Sequence, residues 1–195
     1  MPASRRNAVD GEQRRAQIVD AARHAIATLG FEGLRVRDVA DQVGINIATL
    51  HYYFPTKEAL VAAVVQQIVG TLDRVPPSGP ARDPRTVLTE HLAHILGRFE
   101  ADRDEFVVLN ELYARSGRDP ELRATLLVND AAWAGFLRAI FQDGRDRGQF
   151  RADLDPDGAA VLVVGFLKSL LSQLDLTAER ARGAADEMVR AVLRS

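Results

Sequence analysis

The sequence contains no cysteine. That excludes structural disulfides, thiolate zinc sites and cysteine nucleophiles at once. No segment reaches the roughly 18 unbroken apolar residues of a membrane-spanning helix, and the opening MPASRRNAVDGEQRR lacks the apolar stretch of a signal peptide. The expectation is a cytoplasmic protein with no membrane partner. Lysine is scarce: Lys57 and Lys168 are the only two among 25 basic residues, a bias that reflects base composition and carries no functional weight. A glycine-rich phosphate loop, a nucleophile elbow and a metal-ligand set are all missing. No catalytic residue, metal or cofactor is therefore expected. Charge of one sign is also lacking, with a net −2. It divides as +1 over residues 1–58 (8 basic, 7 acidic) and −3 over the remainder (17 basic, 20 acidic), which directs an anionic partner to the N-terminal end.

What is present is a 3.6-residue apolar period in nearly every segment, in a chain that is 47% hydrophobic. The fold class expected is all-α. Helix starts are marked by Asp10 with Gln13, Thr56 with Glu58, and Thr177 with Glu179. Three more are Asp83-Pro84, Asp119-Pro120 and Asp155-Pro156, in which proline takes the first helical position and loses no hydrogen bond. The Pro/Gly/Ser-rich stretch Val75 to Pro84 reads as a loop after a fourth helix.

The first helix is expected from about Glu12 to Leu29, with Ile18, Ala21, Ala22, Ala25, Ile26 and Leu29 on one face and Gly30 ending it. Arg35 to Val43 forms a short second helix, stopped by a left-handed turn at Gly44. Ile47 to Phe54 forms a third. Two short helices joined by a glycine turn and held by a longer one make a helix-turn-helix. Advancing about 100° per residue from Ile47 puts Leu50, Phe54 and Ile47 on the buried side and Ala48, Thr49 and Tyr52 opposite, with His51 and Tyr53 along the edges. An outward tyrosine beside a small alanine and a threonine suits contact with another molecule. In a second helix of this kind the partner is the major groove of DNA: Ile47 or Ala48 against a thymine methyl, Thr49 on a base edge or phosphate, His51, Tyr52 and Tyr53 on phosphates. Arg35, Arg37 and Lys57, cations beside helix N-termini, add phosphate contacts.

The run GFEGLRVRDVADQVGINIATLHYYFPTKEAL, residues 30–60, resembles the DNA-binding domain of the tetracycline-repressor (TetR) family of bacterial transcription regulators. The elements G-F-x-G, V-R-D-V-A, V-G, A-T-L-x-Y-Y-F and T-K-E-A-L occur in the family's order and spacing. The resemblance implies a DNA-binding domain over residues 1–56 and a helical effector-binding and dimerisation domain over 57–195, connected by a helix over 57–74. It also implies DNA contacts from Arg37, Ile47, Ala48, Thr49, His51, Tyr52, Tyr53 and Lys57. Arg35, Ile47 and His51 depart from the family's usual residues, and with them the operator sequence.

In the C-terminal part, Leu88, Leu92, Ile95 and Phe99 form one stripe with His91 at its edge. Phe106, Leu109 and Tyr113 share a face with Asn110, and Leu122, Leu126, Trp133, Phe136, Leu137 and Ile140 share one with Asn129. Apolar faces with isolated polar groups build either a core or a small-molecule pocket. The pocket candidates are His91, Phe99, Phe106, Asn110, Tyr113, Asn129, Trp133 and Phe136, which suit a mostly apolar effector. His91 and His94 supply two metal ligands at best. Residues 159–174, AAVLVVGFLKSLLSQL, are apolar on nearly every side and need cover on two. With the last helix, about Ala178 to Leu193, they are expected to form half of a homodimer interface. Its candidates are Leu162, Gly165, Phe166, Ser169, Ala185, Met188 and Val192. The function expected is a ligand-responsive repressor on a palindromic double-stranded DNA operator. The alternative is a dimeric helical small-molecule-binding protein, or an enzyme, without operator binding. The acidic cluster Asp102, Asp104 and Glu105 reads as capping rather than catalysis.

Overall fold

The computed structural model describes residues 3–72, 82–170, 172 and 176–193, and of residues 3–9 only the backbone. Among the described residues there are nine α-helices and no strand: α1 (Ala3–Gly33), α2 (Val36–Val43), α3 (Ile47–Tyr53), α4 (Lys57–Leu72), α5 (Pro84–Ala101), α6 (Arg103–Ser116), α7 (Pro120–Asp146), α8 (Pro156–Ser169) and α9 (Ala178–Val192). The all-α expectation holds. Residues 75–81 of the expected loop, and Leu171, Gln173 and Leu174 of the expected apolar segment, lie outside the described residues.

Five of the six expected caps form. The side chains of Asp83, Asp119, Asp155, Thr56 and Thr177 accept backbone N–H bonds from Thr86, Leu122, Asp157, Ala59 and Arg180. Asp10 does not cap, because α1 begins at Ala3 rather than near Glu12. The alanines and arginines before Asp10 are good helix formers and no proline stops them. Gly30 does end the regular helix: its φ of 71° and ψ of 172° interrupt α1, and one further turn reaches Gly33.

The chain divides into two compact units, Met1–Ile68 with Val107–Leu126, and Val69–Phe106 with Leu127–Ser195. In the first, α2 packs on α1 and on α3. Ile18, Ala22 and Ile26 of α1, Val39 and Ala40 of α2, Leu50 of α3, and Leu60 and Val64 of α4 are buried. Leu29, expected on the buried face of α1, is instead 65% exposed. The chain turns off at Gly30 and leaves Leu29 against the Gly33 backbone, where a Cβ on Gly33 would stand 2.4 Å from that of Leu29. The Gly30 turn is fastened to α6: the Phe31 N–H donates to Glu111 Oε1 at 3.2 Å, and Arg115, paired with Glu32, holds its guanidinium 4.3 Å from the Phe31 ring centre.

The second unit has its own core, with Leu88, Leu92 and Phe99 of α5, Leu137 and Phe141 of α7, Val163 and Leu167 of α8, and Ala181 and Val189 of α9. Helices α5 and α9 pack together. Phe150 reaches into this core over Gly144, where a Cβ would lie 2.2 Å from the ring. Among the described residues no helix is long and apolar enough to cross a membrane.

Candidate functional site

In the first unit, Gly44 adopts φ 72° and so turns the chain between α2 and α3. Asn46, which sequence reasoning passed over, then caps α3 by accepting the Thr49 N–H at 2.8 Å. An asparagine three residues before a threonine, directly after a glycine turn, was the available signal. Leu50 and Phe54 anchor α3 inward, with the Arg15 guanidinium 4.9 Å from the Phe54 ring centre. Ala48 and His51 are exposed, Thr49 and Tyr53 half-buried, and Tyr52 is 82% exposed. The Tyr52 and Tyr53 rings meet edge-on at 5.3 Å.

One residue of the phasing is corrected. Ile47, expected on the buried side, is 42% exposed, because the first residue of a seven-residue helix lies beyond the part of the core that Leu50 and Phe54 fill. Arg35 and Arg37 are exposed at the start of α2, Arg35 at the cap position without a side-chain capping bond. Lys57 is half-buried: its Nζ stands 4.6 Å from the Phe31 ring centre and donates to the Phe31 carbonyl at 3.5 Å.

In the second unit, His91, Trp133 and Phe136 come together. His91 is 1% exposed. The Trp133 indole N–H donates to His91 Nε2 at 2.8 Å, and the Phe136 ring lies 5.1 Å from the imidazole. Nε2 is thus the accepting nitrogen, so the ring proton sits on Nδ1; Nδ1 is buried without a hydrogen-bond partner. Burial, and secondarily the neighbouring His94, push the His91 pKa down to about 4. His94 itself bonds through Nε2 to the Thr71 carbonyl at 2.7 Å. Phe99 and Phe106 pack edge-on at 5.1 Å in the core. Asn129 is half-buried. Two pocket candidates lie elsewhere: Asn110 and Tyr113 belong to the first unit. Asn110 is exposed, not on the face of Phe106 and Leu109. The buried arc of α6 is centred on Val108, Leu109 and Leu112, which puts Asn110 past its edge with the exposed Val107.

Two of the three acidic residues of the cluster, Asp102 and Glu105, have structural roles. The Asp102 carboxylate accepts the Glu105 N–H at 3.3 Å. Glu105 is buried and accepts from Arg98 at 2.5 Å and from the Thr71 hydroxyl at 3.2 Å. That hydrogen bond is the main reason the Arg98 pKa is raised. Among the described residues no group of three or more His, Asp or Glu side chains is arranged to hold a metal.

On α8, Leu162 is 71% exposed and Gly165 is open, with nothing within 4 Å of an added Cβ. Val161, missed in the sequence, is exposed beside them. Phe166, Ser169, Met188 and Val192 are half-buried. Ala185 is corrected: it is buried within the unit, on the side of α9 that carries Ala181 and Val189. A groove of about 700 Å³ is lined by Leu162, Phe166, Met188 and Val192 together with Leu88 and Leu154.

Comparison with known proteins gives two family matches: "Bacterial regulatory proteins, tetR family" over residues 18–64 and "BetI-type transcriptional repressor, C-terminal" over residues 84–194. The chain is 27% identical over 191 residues to the HTH-type transcriptional regulator BetI of Paraburkholderia phytofirmans, covering 94% of this chain and 95% of that one. A TetR-family regulator structure from Rhodococcus sp. superposes with a TM-score of 0.82 at 26% identity, over 94% of this chain and 100% of the other. A transcriptional regulator from Saccharomonospora viridis, solved in complex with choline, superposes with a TM-score of 0.81 at 22% identity and the same coverage, a likeness of fold.

Proposed function

Since the chain belongs to the TetR family of transcriptional regulators, with a BetI-type C-terminal half, we propose that it binds a palindromic operator as a homodimer and is released by a small, mostly apolar effector. It is a regulator and not an enzyme, as are the relatives it matches. The observation that carries operator binding is the division of α3 into an inner side, Leu50 and Phe54, and an outer side on which Tyr52 stands 82% exposed beside Ala48 and His51. Small side chains standing free on a recognition helix suit thymine methyls in the major groove, and imidazole and phenol groups beside them suit phosphate oxygens.

In this proposal Ile47, Ala48 and Thr49 face bases, and Arg35, Arg37, His51, Tyr52, Tyr53 and Lys57 face phosphates. Residues 1–56 form the DNA-binding domain and 57–195 the effector-binding and dimerisation domain. The exposed Val161, Leu162 and Gly165 of α8 support pairing with a second copy, since an apolar face of this kind needs cover. Dimerisation brings two recognition helices to half-sites about 34–36 Å apart. The effector site proposed is the aromatic group around His91, Trp133 and Phe136, with the Phe99 and Phe106 pair of the same unit as further candidates. A ligand there releases DNA by favouring one conformation over the other. The protein acts where its operator is, in the cytoplasm.

Selection from random double-stranded DNA tests the operator. The expected outcome is enrichment of an inverted repeat whose half-sites lie one helical turn apart. Failure to enrich any sequence, from a protein that is dimeric in solution, leaves a helical binding protein without an operator.

A further inference from the structure

His91 is the one buried histidine among the described residues of the second unit, and only one of its nitrogens has a partner. Nε2 accepts from the Trp133 indole, which requires the proton to sit on Nδ1; Nδ1 is enclosed and donates to nothing. Buried N–H groups in folded proteins are nearly always paired, and an orphan calls for an explanation. Here the orphan sits beside two aromatic rings. The imidazole has Phe136 at 5.1 Å and Trp133 at 6.1 Å, both in tilted or edge arrangements, and both of these rings are partly exposed while His91 is not.

The same surroundings limit the charge of what can bind. His91 stays neutral near pH 7 because burial disfavours its cation. Its neighbour His94 is engaged with the Thr71 carbonyl. Arg98, seven residues on along α5, is already paired with Glu105, and Lys168 of α8 is paired with Asp130 of α7. An anionic oxygen brought to Nδ1 therefore finds a neutral donor and no uncommitted cation among these groups.

Resting on the effector site proposed above, we infer that the effector is a largely aromatic molecule without an anionic group that presents one hydrogen-bond acceptor, a carbonyl or ether oxygen, to the Nδ1–H of His91. The Trp133 indole fixes the tautomer, so that the donor is in place before the ligand arrives. A molecule of the same shape without the acceptor leaves the N–H unpaired and binds more weakly.

Acetophenone and α-methylstyrene form a matched pair for the test, since they differ by C=O against C=CH₂ in the same outline. Both are titrated into the full-length protein while the fluorescence of Trp133, the single tryptophan of the chain, and the ¹⁵N resonances of the histidine side chains are followed. The expected result is binding of acetophenone about ten-fold tighter than of α-methylstyrene, with a downfield shift of the His91 Nδ1 proton for acetophenone alone. His91→Phe keeps a ring in place and should bind the two probes equally. Should that variant fail to fold, the tautomer and proton shift in the native protein decide. Equal affinities with a clear Trp133 response would leave the effector site standing and overturn the acceptor requirement, as would a free protein whose His91 carries its proton on Nε2. No response of Trp133 or His91 to either probe up to its solubility, in protein that still binds operator, would remove the effector site and this inference together.

Discussion

Tyr52 and Phe54 stand two residues apart at the end of α3 and point to opposite sides. Tyr52 is 82% exposed, whereas Phe54 is buried beneath the Arg15 guanidinium. One short helix therefore carries an outward surface and its own anchor on adjoining positions. Tyr52→Ala should weaken operator binding and leave the melting temperature nearly unchanged. Phe54→Ala should cost about 3–5 kcal/mol of folding stability as a large core truncation. Thermal melts of both variants beside gel-shift titrations check this, and equal losses of melting temperature would count against the assignment of sides.

Arg37 and Lys57 are both proposed phosphate contacts, but the structure treats them differently. Arg37 is exposed and forms no ion pair among the described residues. The Lys57 ammonium already lies over the Phe31 ring and donates to the Phe31 carbonyl. Arg37→Ala should weaken specific and non-specific DNA alike, flatten the salt dependence by about one unit of slope, and spare stability. Lys57→Ala should lower the melting temperature as well, by removing the contact with Phe31. A salt slope unchanged in Arg37→Ala would take that residue off the phosphate backbone.

Much of the fold was legible because its signals are local. Each Asp-Pro pair states where a helix begins, Gly30 and Gly44 supply the left-handed turns, and five of six expected caps form through a bond three residues or fewer along the chain. What escaped depends on partners distant in sequence. The exposure of Leu29 follows from the Gly33 backbone and the anchoring of the neighbouring Phe31 by Glu111 on α6. Ala185 falls on the inner side of α9 because α5 packs there. Asn110 was misplaced because a helical stripe read from Phe106 and Tyr113 sits at one edge of the arc that α6 buries. The pairing of Trp133 with His91, 42 residues apart, leaves no periodic trace at all.

Gly165 is exposed on α8 with open space around it, and Leu162, three residues earlier, is 71% exposed. Within one chain an arginine at position 165 meets no obstacle, so Gly165→Arg should fold with little loss of stability. Across a close helix–helix approach it introduces both bulk and an unpaired charge. Sedimentation should therefore find a dimer for the native protein at micromolar concentration and a monomer for Gly165→Arg, with operator affinity falling in parallel. A variant that remains dimeric and binds operator normally would move the interface away from this face of α8.

His91 should make stability depend on acid in a way that one substitution can isolate. In the unfolded chain a histidine titrates near its ordinary value of about 6.5, whereas burial, with a smaller contribution from His94, holds His91 at about 4 in the folded protein. Between these values the unfolded chain takes up a proton that the folded one refuses, so unfolding is favoured as pH falls. The contribution is fully present above pH 6.5 and is lost towards pH 4, at no more than about 1.4 kcal/mol per pH unit and about 3 kcal/mol in all. Carboxylates also titrate near the lower end, which is why the comparison is with His91→Phe, a ring that cannot be protonated. Urea unfolding at pH 7, 6, 5 and 4 should show the native protein losing stability relative to the variant across this window. Parallel curves would mean that His91 takes up a proton as readily in the folded protein as in the unfolded chain, so that burial does not hold it neutral across this window.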